Sequence, residues 1–169
     1  MNKKRLITLI LAVVLACGIF TLQYGWLRAG AEESYCTCYV MCKPGDYVNV
    51  RRTPSTDGQI VGYLDAGDWF ETDGTSSNGF IRVYGIGEYG EGWVYCGYVV
   101  TQEPKEVMQR YVCVAKNRVA CRRWMNGPKV SGSPWLTNLS TVTVFYEADG
   151  WSCTSRGYIR SEYLEADQT

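Results

Sequence analysis

The feature that most constrains the fold is a succession of short apolar runs, each ended by a turn signal. Proline, glycine and aspartate fill the stretches between the runs. Strands of about five residues at spacings of about 8–12 residues are typical of a small sandwich or barrel. Beyond the N-terminal segment no window has the period of an amphipathic helix. The sequence therefore predicts an all-β protein. In the first half, the β-branched or aromatic runs are residues 48–51, 60–64, 69–72, 80–84 and 93–95.

The second half of the chain repeats the order of the first. Val-Asn-Val-Arg-Arg at 48–52 returns as Val-Ala-Cys-Arg-Arg at 119–123, and the block at 92–99 returns at 157–164. A polar, proline-containing stretch separates the two copies. The predicted organisation is a leader (1–31), a short cysteine-containing spacer (32–41), a first domain (42–101), a linker (102–109) and a divergent second domain (110–166).

Three blocks of the first copy carry a resemblance to a known family. They are Arg-x-x-Pro-Ser after a strand, apolar-Gly-x-Leu-x-x-Gly-Asp at 61–68, and Gly-Trp-Val followed by Gly-Tyr-Val. In this order they resemble the bacterial SH3-like (SH3b) domain over residues 42–101. In the second copy the turn is rewritten at 124–129 and the Gly-Asp is missing. The resemblance implies two tandem SH3-like β-barrels and a cell-wall ligand, either peptidoglycan peptide or glycan.

The N-terminal segment has the pattern of an export signal. Lys3, Lys4 and Arg5 precede an apolar stretch from 6 to 22, and small residues follow at 29–31. This pattern is typical of a cleaved signal peptide. An uncleaved anchor would place residues 6–27 in the membrane, and lipidation at Cys17 is a third interpretation. All three predict an extracellular or cell-surface location for the rest of the chain.

The charge balance argues against nucleic acid as a partner. Beyond the leader the chain has 13 basic and 17 acidic residues, whereas nucleic-acid binding normally needs a basic surface. Residues 35–103 hold four basic and nine acidic side chains, and residues 104–169 hold nine and six. The second domain could meet an anionic polymer such as teichoic acid or dock on the first domain. A solvated surface is the simpler interpretation.

Seven cysteines follow the leader, and outside a membrane such a density indicates disulfides. The resemblance to an SH3-like barrel, in which the first and last strands meet, implies a pair between Cys42 and Cys96. Cys121 with Cys153 is the second expected pair, and Cys113 with Cys153 competes with it. An odd number leaves at least one thiol unpaired or bonded to another chain. The spacing of residues 36, 38 and 42 matches neither a zinc knuckle nor a redox dithiol, so no metal is expected.

The chain contains no histidine. A Cys–His pair, a Ser–His–Asp triad and a histidine-bound zinc are therefore excluded. Of the four lysines beyond the leader, none has a Ser-x-x-Lys spacing. We expect no enzyme activity and no cofactor.

Aromatic and basic side chains remain as candidate ligand contacts, because exposed aromatic rings stack on sugars and peptides. The predicted function is a non-catalytic extracellular protein that binds a cell-wall polymer. The alternative is a structural or protein-interaction module that docks another exported protein. The candidate binding residues are Arg51, Arg52, Thr53, Pro54, Tyr63, Trp69, Tyr95, Tyr98, Arg122, Arg123 and Trp124.

Overall fold

A computed structural model describes residues 34–86 and 90–168. The expected leader at 1–31 lies outside the described residues. Residues from Tyr35 onward form one compact unit. No helix of the described ranges is long and apolar enough to span a membrane. The unit contains two lobes, which we call the first lobe (residues 35–101) and the second lobe (residues 105–168).

The first lobe is a single eight-stranded antiparallel sheet, in which fewer than half of the strand pairs join consecutive strands. Its order is β3-β2-β7-β6-β4-β1-β8, and β5 pairs with β6. The predicted runs are confirmed as strands within one or two residues of their expected bounds. The strands are β1 (Cys36–Val40), β2 (Tyr47–Arg51), β3 (Ile60–Asp65), β4 (Trp69–Thr72), β5 (Ser76–Ser77), β6 (Phe80–Tyr84), β7 (Glu91–Tyr95) and β8 (Val99–Val100).

The first strand lies where a spacer was expected. Strand β1 pairs with β4 on one side and with β8 on the other. Val40 and Met41 are fully buried, and Cys38 is buried with them. The expectation that 32–41 is a spacer is wrong for this strand, because a short polar-looking run, Cys-Thr-Cys-Tyr-Val, hides its alternation of exposed and buried positions.

The second lobe has a five-stranded sheet in the order β14-β13-β12-β9-β15 and a separate β10-β11 pair. Strand β9 begins at Lys105, inside the segment expected to be a linker, so the connection between the lobes spans only residues 101–104. The strands are β9 (Lys105–Cys113), β10 (Val119–Ala120), β11 (Trp135–Leu136), β12 (Thr141–Ala148), β13 (Trp151–Thr154), β14 (Gly157–Arg160) and β15 (Leu164–Ala166).

The strand pairing of the first lobe recurs in the second. In the first lobe β1 lies between β4 and β8, and in the second β9 lies between β12 and β15. A 3₁₀ turn precedes the last strand of each lobe, at Cys96–Tyr98 and Ser161–Tyr163. The two lobes thus share this part of their strand pairing, and the tandem second copy stays a prediction.

Three apolar clusters stabilise the unit. One lies within the first lobe around Phe70 and Val50, and another lies within the second around Leu136 and Ile159. The third joins the lobes, and we call it the interface core. It contains Met41, Val100, Met125, Ala148, Trp151, Cys153 and Tyr158.

Candidate functional site: the groove between the lobes

Trp124 is held between the two lobes. A Cβ at Gly97 of the first lobe or at Gly127 of the second would come within 2.4 Å of the Trp124 ring. Only glycine allows so close an approach. The ring also lies 5.3 Å from Tyr95 and 6.4 Å from Tyr98, measured between centroids. The rewritten turn of the second repeat therefore serves to dock it on the first lobe.

Polar contacts complete the docking. The Tyr158 hydroxyl donates to the carbonyl of Met41 at 2.7 Å, and burial raises the Tyr158 pKa far above its usual range. The backbone N–H of Met125 donates to the carbonyl of Gly97 at 3.0 Å. The Asp149 carboxylate of the second lobe accepts from the backbone N–H of Thr101 at 2.7 Å. The lobes are thus joined by apolar packing and by directed hydrogen bonds.

A groove of about 1010 Å³ runs along this junction. The connection between β1 and β2 forms one wall, and the second lobe forms the other. The groove is lined by Cys42, Lys43, Asp46, Tyr47, Tyr98, Arg122, Arg123, Trp124, Val130, Ser131, Ser133, Ser155, Arg156, Gly157 and Tyr158.

Tyr47 gives the groove an exposed aromatic wall. Its side chain is 61% exposed, and its ring centroid lies 5.7 Å from that of Tyr63, which is 65% exposed. Tyr47 alternates with the buried Val48 and Val50 on β2, so its side chain leaves the sheet on the solvent face. Together with the half-buried Tyr98 and Trp124, it offers aromatic faces on both sides of the groove.

The polar part of the lining carries more positive than negative charge. Lys43 donates across the lobes to the carbonyl of Ser155 at 3.4 Å, and Arg156 donates to the carbonyl of Ser133. Arg123 is exposed, and Asp46 is the only acidic residue among the described residues of the lining. Serine hydroxyls and backbone groups of the second lobe supply neutral hydrogen-bonding sites.

The groove contains one thiol, that of the buried Cys42. Burial raises the pKa of Cys42 to about 12, with the charges of nearby groups adding to the shift. Its Sγ donates to the carbonyl of Asp46 at 3.3 Å. A cysteine attacks as the thiolate, and this one stays protonated at neutral pH.

The predicted contact residues fall into two groups. Tyr98, Arg122, Arg123 and Trp124 line the groove, and Tyr63 and Tyr95 pack against lining residues. The structure places the others away from it. They are Arg51, Arg52, Thr53, Pro54 and Trp69.

Hydrogen bonds within the first lobe hold the Arg-x-x-Pro-Ser turn. The Arg51 side chain donates to the carbonyl of Gly58 at 2.8 Å, and a Cβ at Gly58 would lie 2.6 Å from Oγ1 of Thr53. The carbonyl of Pro54 accepts from Asn78 at 3.3 Å. These contacts hold the shape of the turn.

The sequence-based list missed Tyr47, Lys43 and Tyr158. Tyr47 had a usable signal, because alternation with Val48 and Val50 puts it on the solvent face. Tyr158 had none, because its position depends on the docking of the lobes. The sequence around Lys43 gave no signal that its side chain lines a groove.

All seven cysteines of the described residues are free in this structure. Cys113 and Cys121 share the second-lobe core, whereas Cys42 and Cys153 belong to different apolar clusters. Cys96 is exposed whereas Cys42 is buried. The expected disulfides therefore stay predictions. No group of three potential metal ligands occurs within residues 34–86 and 90–168.

Comparisons with known proteins cover part of the chain. Among solved structures, NlpC1 from Trichomonas vaginalis is 16% identical with a TM-score of 0.34, and it is matched over 82% of this chain and 48% of its own. NlpC2 from the same organism is 17% identical with a TM-score of 0.34, over 82% and 51%. The endolysin LysPBC5 CBD is 11% identical with a TM-score of 0.30, over 82% and 98%. This chain thus spans about half of each NlpC chain.

A search of curated protein sequences gives no match. The family model of the bacterial SH3 domain matches residues 46–100. This range runs from the start of β2 to the end of β8, and it includes Tyr47, Tyr98 and the Arg-x-x-Pro-Ser turn. The chain therefore contains one bacterial SH3 domain, at residues 46–100.

Proposed function

We propose that the chain is a non-catalytic binding protein of the bacterial cell surface, whose inter-lobe groove binds peptidoglycan peptide or glycan. The bacterial SH3 domain at 46–100 supports a wall ligand. It contributes Tyr47 and Tyr98 to the groove. The second lobe is a divergent copy of the same domain, as its repeated strand pairing suggests.

The observation that carries the proposal is the aromatic lining. Tyr47 is largely exposed, and Tyr98 and Trp124 face the same groove. Rings presented this way stack on sugar faces and on peptide planes, while a few polar groups fix orientation. The serines and arginines of the second lobe supply those polar groups. The two lobes then form a single binding site between them.

The chemistry of the groove supports binding without catalysis. The chain has no histidine to act as a base. The thiol in the lining is held protonated by burial, which raises the pKa of Cys42 to about 12. A bound peptide or glycan would meet hydrogen-bond partners and aromatic faces but no activated nucleophile.

The test compares two exposed aromatic residues of the first lobe. Tyr47 lines the groove, whereas Trp69, which is 62% exposed, lies outside it. We expect Tyr47→Ala to weaken binding to purified peptidoglycan by about tenfold. Trp69→Ala should bind as the parent does. Binding is measured by co-sedimentation over a range of wall concentrations, with circular dichroism to verify folding.

Equal loss in both variants would show that the groove is not the site. A parent protein that stays in the unbound fraction at low and at high salt would remove the wall ligand altogether. That second result would favour docking to another exported protein. The exposed free thiols of Cys36 and Cys96 give that alternative a means of linkage.

A further inference from the structure

A second cavity, of about 550 Å³, lies on the second lobe, and the described residues that line it include four cations and no acid. The β9–β10 connection forms one wall, and Trp151, Arg160 and Tyr163 form the other. The lining residues with charge are Lys116, Arg118, Arg122 and Arg160. We propose that this cavity binds consecutive phosphate groups of a linear phosphate polymer.

No carboxylate of the described residues neutralises the four cations. None of them is in an ion pair with a carboxylate of residues 34–86 and 90–168, where the ion pairs are Arg82–Asp73 and Arg110–Asp167. Asp149 and Arg160 both line an adjoining cleft. The Asp149 carboxylate, however, accepts hydrogen bonds from the backbone N–H and the hydroxyl of Thr101. Like charges gathered without counter-charges repel one another, and an anion entering the cavity relieves that repulsion.

Aromatic and amide contacts hold the guanidinium groups in place. The Arg160 guanidinium lies 4.2 Å above the Trp151 ring, and its N–H donates to Asn126 at 3.5 Å. Arg118 lies 4.5 Å above Trp135. A guanidinium stacked on a ring keeps its edge N–H groups free for the paired hydrogen bonds that arginine makes with phosphate.

The number of cations in the cavity favours a ligand that has several phosphate groups in a row. A phosphodiester carries one negative charge, so four cations match several groups in succession better than one. The surface is peculiar to the second lobe. The corresponding β1–β2 connection of the first lobe offers Lys43 and Asp46, whose charges cancel, where this connection offers Lys116 and Arg118.

Single-stranded nucleic acid fits the cavity less well. Stacking of bases needs free aromatic faces, and the face of Trp151 is already covered by Arg160. Polyphosphate, a flexible chain with no bases, is therefore the appropriate probe.

The test is calorimetric titration of the full-length chain with linear polyphosphate, inorganic phosphate and single-stranded DNA at low ionic strength. Lys116→Gln with Arg118→Gln should weaken polyphosphate binding by about tenfold or more. A control removes the same charge from the same lobe outside the cavity, through Lys105→Gln with Arg110→Gln. Its affinity should stay within about twofold of the parent. All four side chains are exposed, so unfolding midpoints should agree.

Loss of binding in the cavity variant alone supports the proposal. Equal loss in both variants would overturn it by showing a general field effect. So would inorganic phosphate binding as tightly as the polymer, or DNA binding as tightly as polyphosphate. The inference does not rest on the proposed wall ligand, because Tyr47→Ala should leave polyphosphate binding unchanged whether or not the groove binds peptidoglycan.

Discussion

Arg51 and Arg122, the first arginines of the two repeated phrases, do the same work. Each donates from its side chain to a glycine carbonyl of the turn that follows, Gly58 at 2.8 Å and Gly127 at 2.5 Å. The repeated Arg-Arg phrase suggested ligand contact. A charged donor that satisfies a turn carbonyl has a structural role first. Only the second-lobe arginine also reaches the groove.

Asp73 shows the same preference for internal partners. Its carboxylate accepts from Arg82, from the Tyr84 hydroxyl at 2.9 Å and from the backbone N–H of Thr75 at 2.9 Å. The Arg82 guanidinium, first among these donors, holds the pKa of Asp73 well below its usual range. Its sequence neighbour Gly74 identified a turn but gave no sign of the ion pair.

We predict that Asp73→Asn lowers stability in a pH-dependent way. Because the folded-state pKa is depressed, the carboxylate's contribution is complete above the unfolded pKa of about 3.9 and is lost as pH falls below that value. The urea midpoints of variant and parent should differ at neutral pH and converge in acid. Asp57→Asn, at an exposed site of the same lobe, is the control. A difference that persists unchanged into acid would contradict the assignment.

Strand β1 is where local sequence was a poor guide to an element. Its five residues include two cysteines and a threonine and were expected to belong to a spacer. The strand is nevertheless paired on both edges. The bacterial SH3 match begins only at residue 46, so neither the motif nor the family boundary includes this strand. Its membership of the sheet depends on β4 and β8, which lie about thirty and sixty residues away.

Val40→Ala tests whether β1 is part of the fold. Val40 is fully buried, and removing two buried methyl groups should cost about 2 kcal/mol of unfolding free energy. Thr37→Ala on the exposed face of the same strand should change stability by less than about 0.5 kcal/mol. Equilibrium urea unfolding measures both. No loss in the Val40 variant would restore the spacer interpretation.

At the scale of the whole molecule, the two lobes pack against each other and are not two separate domains joined by a linker. The interface core takes residues from both lobes, and the connection between them is only residues 101–104. Met41, fully buried, is covered by Tyr158 and its neighbours. Because each lobe supplies part of the other's buried surface, we expect the unit to unfold as one.

Tyr158→Phe probes that coupling with minimal change of shape. It removes the hydroxyl that donates to Met41 and leaves a buried carbonyl unsatisfied, at a cost of about 1–2 kcal/mol. Tyr63→Phe removes a hydroxyl from a ring that is 65% exposed and should be near neutral. Urea unfolding followed by tryptophan fluorescence should show one transition, shifted to lower urea in the first variant. Two separate transitions in the parent would mean that the lobes are independent.

The sequence by itself determined the all-β class and the strands β2, β3, β4, β6 and β7, because alternation of apolar residues and turn chemistry are local properties. It also predicted four groove residues, since aromatic and basic side chains are recognisable without a fold. The tertiary structure decided which of them converge. Trp124 meets Gly97, and Tyr158 meets Met41, only because the lobes dock. Such contacts join positions far apart in the chain, and their free energy comes from burial that no single segment contains.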